Sequence, residues 1–447
     1  MAISGLDIYK LLPKTNCKEC GFPTCLAFAM KLAAKQADLS ACPYVSEESK
    51  SKLSAASAPP IRLVTIAADG HKIEAGNETV LFRHEKTFYH PTGLLVRIQD
   101  SLPAEQVAAT AKAVADYKVD YVGISLHLDG LAVEATSGDA SKFAAAVAAA
   151  RQAGSLPLVL ISEDPLVMAA GLAKTTGATP LICAATAANW EAMAKLAKEH
   201  KAPLVVRADT ISGLAELTEK LVAAGVEDLV LDPVARGFNG SLAVLTQVRR
   251  LALKKGVRAV GYPTVAFPYL GQSDPCMETI LAAQQIAKYA GFVVLSRFGP
   301  AEIYPLLVLR QNIFTDPQKP IQVEPGIYPI NKPGVDSPVL ITTNFSITYF
   351  AVANEVESSG QPAWLLVADA EGMSVLTAWA AGKFDADRIA KTVKNTGIAD
   401  KVSHRKVLIP GHVAVLMGEL EEELPGWEIK VGPREAVDLP RYLKTNW

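Results

Sequence analysis

The chain has 447 residues, of which 50 % are hydrophobic and 20 % are charged, and its formal net charge is −2. A single hydrophobic core stops growing well below this length, so we expect a globular protein of two or three domains. A net charge so close to zero argues against the basic footprint with which proteins bind nucleic acid or anionic membrane surfaces.

The N-terminal stretch MAISGLDIYKLLPKTNC lacks a basic segment followed by an apolar one, and no uncharged apolar run approaches the length of a bilayer span. We therefore expect a cytoplasmic protein that makes no membrane contact. In that reducing compartment, clustered cysteines bind metal more often than they form disulfides.

Four of the six cysteines lie close to the N-terminus. Cys17, Cys20 and Cys25 have C-x₂-C-x₄-C spacing in NCKECGFPTC, and Cys42 directly precedes a proline. The stretch LAFAMKLAAKQ between Cys25 and Cys42 predicts a helix that carries the chain away and back. Four thiolates with a distant Cys-Pro return favour a 4Fe-4S cluster. Structural zinc, which more often uses paired C-x₂-C motifs or histidine, and free thiols stay open as alternatives.

Two stretches rich in Ser, Ala or Pro, residues 46–60 and 316–338, predict linkers because they suit neither helix nor sheet. They divide the chain into a head (1–58), a lead-in (59–92), a central domain (93–316), a Pro-rich linker (317–337) and a C-terminal domain (338–447). The lead-in has strand character, and we expect it to form a hairpin that covers the bottom of the central domain.

The central domain alternates apolar strand-like runs with amphipathic helical stretches. The predicted strands are LLVRIQ near 94, YVGISLH near 121, LPLVLIS near 156, TPLICAA near 179, APLVVRA near 202, EDLVLDP near 227, RAVGYPTVAF near 258 and FVVLSRF near 292. Such an alternation predicts a closed (β/α)₈ TIM barrel.

Polar residues lie at or just after these predicted strand ends: His127, Glu163, Asp164, Arg207, Asp209, Asp232, Asn239 and Arg297. They show no metal-ligand or triad spacing, so we interpret them as capping and rim residues and predict no catalytic residues in this chain. Cys183, inside an apolar strand, is expected to be a buried small hydrophobe. Cys276 has no histidine partner in view.

The C-terminal domain adds four strand-helix units, which predict an open, doubly wound, Rossmann-like parallel sheet. Sheets of this kind bind ligands at the carboxyl ends of their strands. Here those ends carry small and hydroxyl residues at 342–346, 370–374, 410–412 and 432–434. These residues would let the backbone approach a large flat or phosphate-bearing ligand, although plain tight βα turns explain them equally well.

With its NCKECGFPTC…ACP head, its eight-unit barrel and the tail motifs ITTNFS, ADAEGMS and GPREA, the chain resembles the corrinoid iron-sulfur protein large subunits of the acetyl-CoA (Wood-Ljungdahl) pathway, the acetyl-CoA decarbonylase/synthase gamma family. The resemblance covers the whole chain. It implies a methyl carrier of the transferase class rather than a self-contained enzyme. The cobalt of a corrinoid would take a methyl group from methyltetrahydrofolate through a methyltransferase and deliver it to acetyl-CoA synthase. A 4Fe-4S cluster would return Co(II) to Co(I).

The family's cluster ligands carry over to Cys17, Cys20, Cys25 and Cys42. Its corrinoid contacts carry over to Thr342, Thr343, Asn344, Ser346, Ala370, Glu371, Gly372, Met373, Ser374, Gly411, His412 and Pro433. The implied partners are a smaller corrinoid-protein subunit in a heterodimer, a methyltransferase, acetyl-CoA synthase/CO dehydrogenase and a low-potential donor such as ferredoxin. The alternative hypothesis is a pterin-processing barrel enzyme with a ferredoxin-like head.

One departure from the broader cobalamin-binding pattern concerns the cobalt itself. Many methyl-transferring domains carry D-x-H-x-x-G, whose histidine is the lower cobalt ligand, but this chain reads Asp369-Ala370-Glu371-Gly372. Since Co(I) does not favour axial ligands, the absence of a nitrogen donor makes that state easier to reach. We therefore expect a base-off corrinoid without a protein lower ligand, and we expect His412 to be a peripheral contact.

Overall fold

The computed structural model describes residues 5–33, 37, 39–46, 49, 59–121, 124–315 and 321–447. Most of the first predicted linker, the beginning of the second and the end of the predicted head helix lie outside these residues. The chain divides into two compact units, one formed by Met1–Tyr117 with His127–Phe314 and the other by Lys118–Leu126 with Thr315–Trp447.

The head has two short helices, α1 (Gly5–Leu11) and α2 (Cys25–Ala33), and a 3₁₀ turn at Leu39–Ala41. Thr24 caps α2 by accepting a hydrogen bond from the Ala27 amide at 3.0 Å. The helices pack through a small apolar core whose buried members include Ile8, Leu12 and Phe28.

The lead-in forms an antiparallel hairpin, β1 (Val64–Ala68) with β2 (His71–Ala75). Its apolar residues, among them Ile66 and Ile73, share one buried cluster with barrel-interior residues such as Leu95. The hairpin predicted from the sequence is therefore present, and it contributes side chains to the barrel core.

The barrel contains eight parallel strands: β3 (Gly93–Gln99), β6 (Gly130–Glu134), β7 (Leu158–Ile161), β8 (Leu181–Ala185), β9 (Leu204–Arg207), β10 (Leu229–Asp232), β11 (Val265–Ala266) and β12 (Phe292–Leu295). Their spatial order is β10-β9-β8-β7-β6-β3-β12-β11, and a parallel bridge between Leu231 and Thr264 closes the ring. The helices that follow the strands are α3 (Ala104–Asp116), α4 (Ala140–Ala153), α5 (Pro165–Leu172), α6 (Trp190–His200), α7 (Ile211–Ala223), α8 (Phe238–Lys255), α9 (Pro275–Ala287) and α10 (Pro300–Phe314). The predicted TIM barrel is confirmed.

One predicted barrel strand was wrong. YVGISLH near 121 is not in the barrel: its described residues belong to β4 (Lys118–Tyr121) and β5 (Ile124–His127), which pair as a separate two-stranded sheet. The barrel strand is β6, in GLAVE, four of whose five residues are buried. Parallel barrel strands are covered on both faces and read as continuous apolar runs, whereas β4 and β5 alternate in exposure.

The second unit contains a five-stranded sheet in the order β13-β15-β14-β16-β17. Its strands are β13 (Gly326–Ile330), β14 (Val339–Thr343), β15 (Ala363–Ala368), β16 (Lys406–Ile409) and β17 (Glu428–Val431). Its helices are α11 (Ser346–Ser358), α12 (Val375–Ala380), α13 (Ala386–Asn395), α14 (Met417–Glu423) and α15 (Leu439–Asn446). Two apolar clusters, one on each face, make the sheet doubly wound as predicted: α11 and α15 cover one face and the other helices the opposite face.

The stretch predicted as a Pro-rich linker contains an element that the sequence reading missed. β13 pairs antiparallel with β15 and forms the edge of the sheet. Pro329 lies within β13 because an edge strand tolerates a residue without a backbone donor. Among the helices of the described residues, none is long and apolar enough to cross a membrane.

Candidate cofactor sites

The four head cysteines lie around one small apolar core. Cys25 and Cys42 are buried members of it, Cys20 packs against it, and Cys17 is half-buried. The Cys25 thiol is on the first residue of α2, whose amide donates to the Asn16 side-chain oxygen at 2.8 Å. The fold therefore brings Cys20, Cys25 and Cys42 to the same apolar core.

The loop that carries Cys17 and Cys20 has an unusual backbone. Lys14, Asn16 and Lys18 have φ values of 58°, 51° and 67°, so left-handed residues recur along the loop. Successive amides in such a conformation point into a concavity, an arrangement that recurs around iron-sulfur clusters and bound anions. The loop geometry therefore fits an anionic group held by thiolates.

The donor set of the head consists of thiols. Among the described residues, no three His, Cys, Asp or Glu side chains converge closely enough for one metal ion. The four cysteines are free thiols, and the head sequence contains no histidine. Four cysteine thiolates are the ligand set of a 4Fe-4S cluster.

The second candidate site is a cavity of about 320 Å³ in the five-stranded sheet unit. It lies against the neighbouring strands β14 and β16 and under α11. The strand that follows β14 in the chain, β15, lies on one side of β14 in the sheet. The next strand, β16, lies on the other side of β14. The cavity thus occupies the topological switch point, where open parallel sheets bind their ligands.

The cavity is mostly apolar. It is lined by Leu340, Ile341, Thr342, Ile347, Thr348, Ala351, Val352, Ser374, Val375, Leu376, Leu408, Ile409, Pro410, His412, Gly432, Pro433, Arg434, Glu435, Ala436 and Leu439. Of the twelve residues expected to touch a ligand, the lining includes Thr342, Ser374, His412 and Pro433.

Thr342 supplies an unused polar group. The residue lines the cavity, and its buried hydroxyl has no hydrogen-bond partner among the described residues. A buried hydroxyl without a partner destabilises the folded protein by about 1–3 kcal/mol. The Thr343 hydroxyl is likewise buried without a partner in the described part of the chain, but Thr343 does not line the cavity.

Several predicted contact residues instead shape the loop after β15. The Asn344 side-chain oxygen accepts hydrogen bonds from the amides of Ala370 and Gly372, at 2.9 Å each. Gly372 has φ +72°, and a Cβ there would lie 2.6 Å from the Gln322 side chain. These residues hold the loop in place beside the cavity rather than lining it. The remaining predicted contacts outside the cavity lining are Ser346, Glu371, Met373 and Gly411.

The sequence predicted the helix after β14, but not that this helix lines the cavity. Ile347, Thr348, Ala351 and Val352, all on α11, form one wall. Neighbours in this set are one, three or four positions apart, which places all four residues on one face of the helix. This spacing is the sequence signal from which the cavity wall could have been predicted. Ile347 is 69 % exposed, which is unusual for a large apolar side chain and adds to the signal.

Exposed apolar side chains occur on several of the segments that follow the sheet's strands. They are Ile347, Leu376, Trp379, Val415, Met417 and Val437. Exposed apolar residues in such number on the segments after the strands are typical of a binding surface.

The barrel's strand ends contain an ion-pair network. Asp232 is fully buried and accepts from Arg207 Nε at 2.8 Å and from both terminal nitrogens of Arg236 at 3.3 Å. Arg207 also donates to Glu163 at 2.5 Å. Desolvation would lower the Arg207 pKa, but its anionic neighbours outweigh that effect and raise it.

Other predicted rim residues have local structural contacts. Asp164 caps α5, and Arg297 pairs with Glu302 at 2.6 Å. His127 was misplaced: it ends β5 of the separate hairpin rather than a barrel strand. Cys183 is buried as expected, and its burial raises the thiol pKa to about 12.

Two family models match this chain. A family model described as the CO dehydrogenase/acetyl-CoA synthase delta subunit matches residues 63–443, and a model described as a putative Fe-S cluster matches residues 12–44. The second match contains all four head cysteines.

Relatives match over the full length. The corrinoid/iron-sulfur protein large subunit of Moorella thermoacetica is 46 % identical over 100 % of this chain and 99 % of its own. The acetyl-CoA decarbonylase/synthase complex gamma subunits of Archaeoglobus fulgidus and Methanopyrus kandleri are 37 % and 36 % identical, over 99 % of this chain and 98 % and 97 % of theirs. The delta-subunit model covers only residues after the four head cysteines. The relatives that match over the full length are large or gamma subunits, and we therefore assign the chain to their family.

Similarity to solved structures is weak. A dihydropteroate synthase from Xanthomonas albilineans aligns with 50 % of this chain and 94 % of its own, at 15 % identity and a TM-score of 0.36. A likeness at that level supports no statement about this chain.

Proposed function

The chain belongs to the family of the corrinoid/iron-sulfur protein large subunit and the acetyl-CoA decarbonylase/synthase gamma subunits, and on this premise we propose that it is a methyl carrier that binds a corrinoid and a 4Fe-4S cluster. When bound, the corrinoid would supply a cobalt that takes a methyl group from methyltetrahydrofolate through a methyltransferase and passes it to acetyl-CoA synthase, and the cluster would supply the electron that restores Co(I). The observation that carries the proposal is the mostly apolar cavity at the switch point of the sheet.

The head residues suit a cluster of low potential. Cys17, Cys20, Cys25 and Cys42 would hold it, with the thiols of Cys25 and Cys42 buried among apolar side chains. A cluster with four thiolates is anionic, and an apolar, partly dry environment disfavours the extra negative charge that reduction adds. The head therefore favours electron donation, which is the role required for reactivation.

The sheet unit would hold the corrinoid in two parts. A cavity of about 320 Å³ is near the lower end of the range for small-molecule sites, about 300–1,000 Å³, and cannot enclose a whole macrocycle. It suits a flat aromatic base with its ribose, which is the nucleotide tail of a base-off corrinoid. The macrocycle would then lie outside the cavity, where the first turns of α11 and α12 expose the apolar side chains of Ile347 and Leu376.

The loop after β15 contains no histidine that could bind cobalt. The loop after β15 reads Asp369-Ala370-Glu371-Gly372, and Asn344 fixes it through the amides of Ala370 and Gly372. His412 lines the cavity and faces Glu435, with 3.8 Å between its Nε2 and the carboxylate. We therefore expect His412 to remain off the cobalt and the lower position to have no protein ligand.

The partners follow from the family. The large-subunit name of the Moorella relative implies a smaller partner subunit, and the archaeal relatives are subunits of an acetyl-CoA decarbonylase/synthase complex. We propose that this chain likewise works as a heterodimer and docks with acetyl-CoA synthase. A methyltransferase and a ferredoxin-like donor complete the proposed cycle.

The barrel strand ends do not favour the alternative of a pterin-processing enzyme. Asp232, a carboxylate in the centre of these strand ends, already accepts hydrogen bonds from Arg207 and Arg236 and from the Val234 amide at 3.0 Å. A ligand that needed this carboxylate would first have to displace two guanidinium groups. We assign the barrel a scaffold role.

Metal analysis of the full chain, purified anaerobically with its partner subunit, tests the proposed function. The proposal predicts four irons and one cobalt per chain. Iron without cobalt would support an electron-input enzyme, and zinc without iron or cobalt would support an assembly factor. Either result would contradict the methyl-carrier assignment.

A further inference from the structure

Charge at the switch-point cavity is confined to one place. Of its 20 lining residues only three are ionisable, His412, Arg434 and Glu435, and all three lie on the loops that follow β16 and β17. The other lining residues are apolar, small or hydroxyl-bearing. Any charged part of a ligand must therefore meet this edge of the cavity.

Two of the three ionisable groups face each other. His412 Nε2 lies 3.8 Å from the Glu435 carboxylate, so a protonated His412 would be neutralised by its neighbour. Arg434 is exposed, and within the described residues its guanidinium has no hydrogen bond, ion pair or ring contact. Arg434 is the cation at this edge that a ligand anion can use.

The segment that carries Arg434 is held firmly. The Gly411 amide donates to the Pro433 carbonyl at 3.0 Å, and the Tyr442 hydroxyl donates to the Val431 carbonyl at 2.9 Å. A side chain at position 411 would not fit, since its Cβ would lie 2.5 Å from the Gly432 oxygen and 2.9 Å from the Arg434 amide nitrogen. Arg434 thus extends from a fixed point at the cavity edge.

We infer that Arg434 binds the phosphodiester of the corrinoid's nucleotide tail. This inference rests on the proposed function. It names the residue and the ligand group in contact, which the proposed function does not specify. In a base-off corrinoid the phosphodiester lies between the buried base and the external macrocycle, so it passes the edge of the cavity. It is the single anionic group of the tail, and a guanidinium suits phosphate through two parallel hydrogen bonds.

The test compares three corrinoids that differ only in the tail: cobalamin, cobinamide phosphate and cobinamide. Equilibrium binding to the cobalt-free full chain, with its partner subunit present, is measured for wild type, Arg434→Gln and Arg441→Gln. The matched control residue, Arg441, is exposed on α15 and does not line the cavity.

Arg434→Gln should weaken cobalamin and cobinamide phosphate about tenfold and leave cobinamide unchanged, because only the first two carry the phosphate. The loss should shrink at high ionic strength. Arg441→Gln should match wild type with all three. An equal loss with all three corrinoids, or no loss with any, would overturn the inference while leaving the proposed function standing. If wild type bound no corrinoid, the proposed function would fail and this inference with it.

Discussion

Asn344 and Gly372, 28 residues apart in the chain, are joined by a hydrogen bond of 2.9 Å from the Gly372 amide to the Asn344 side-chain oxygen. The same oxygen accepts from the Ala370 amide, and the Asn344 amide group lies 3.3 Å from the Asp369 carboxylate. One buried side chain at the end of β14 thus fixes the loop that follows β15. This loop carries Asp369-Ala370-Glu371-Gly372, the stretch that the sequence analysis compares with the D-x-H-x-x-G pattern.

Replacing Asn344 with Ala should therefore lower the free energy of unfolding by about 2–3 kcal/mol, because two largely buried amides lose their acceptor. Urea unfolding followed by tryptophan fluorescence measures this, and four of the five tryptophans lie in the second unit. Corrinoid retention should fall as the loop loosens. Asn446→Ala, near the exposed C-terminus, is the control and should have little effect. An Asn344→Ala protein as stable as wild type would show that the loop is held by other contacts.

Replacing Cys20 with Ala should abolish the native 4Fe-4S cluster and leave corrinoid bound, because the two sites lie in separate units. Iron and cobalt analysis with reduced-state EPR measures both. Cys276→Ala, an exposed thiol outside the head, is the matched control and should keep full iron content. Four irons with an unchanged signal in Cys20→Ala would refute the ligand assignment, and loss of corrinoid would refute the independence of the two sites.

Asp232→Ala should lower the stability of the barrel by about 2–3 kcal/mol, since it leaves Arg207 and Arg236 beside a buried space without their carboxylate. The two arginines are partly exposed, so the effect falls below that of a fully buried pair. Methyl transfer per folded molecule should stay within a few-fold of wild type, as it should for Asn239→Ala on α8. A loss of several orders of magnitude in a folded variant with normal partner binding would reveal an active site in the barrel.

Cys183 and Cys276 should differ in reactivity. Burial raises the pKa of the Cys183 thiol to about 12, whereas Cys276 is exposed. Iodoacetamide at pH 9 should label Cys276 and spare Cys183 in the folded holoprotein. Because the folded-state pKa of Cys183 lies above its ordinary value of 9.0, this group also favours unfolding as the pH rises from 9 towards 12. Peptide mapping that found Cys183 labelled first would contradict the buried assignment.

The sequence predicted most of the fold because alternation and length are strong signals. Seven of the eight barrel strands were located, and the exception involved GLAVE, which was overlooked in favour of the more visible YVGISLH. YVGISLH and GLAVE are neighbouring strand-like runs, and only one of them can be the second barrel strand. The barrel strand is the run that is buried on both faces, and this burial is visible only in the folded protein. The β13 edge strand was missed for a related reason, because its proline suits an edge and reads as a linker.

The candidate site was predicted less completely. Thr342, Ser374, His412 and Pro433 line the cavity as expected, since they occupy loops that parallel strands bring together. The sequence did not show that the Asn344 side chain holds the loop after β15 by hydrogen bonds. That role depends on which backbone amides of the loop point towards the end of β14. Arg434 lay in the predicted strand-end segment 432–434 but was not among the predicted contacts, and only the cavity shows that it is the cation at the edge.

The central claim about the proposed corrinoid is that its cobalt has no nitrogen ligand from the protein. EPR of the purified protein in the Co(II) state measures it, because a nitrogen on the axis splits each cobalt line into three. Our account predicts a Co(II) signal without triplet splitting, identical in His412→Ala. Triplet splitting that disappears in His412→Ala would contradict the account and make His412 the cobalt ligand.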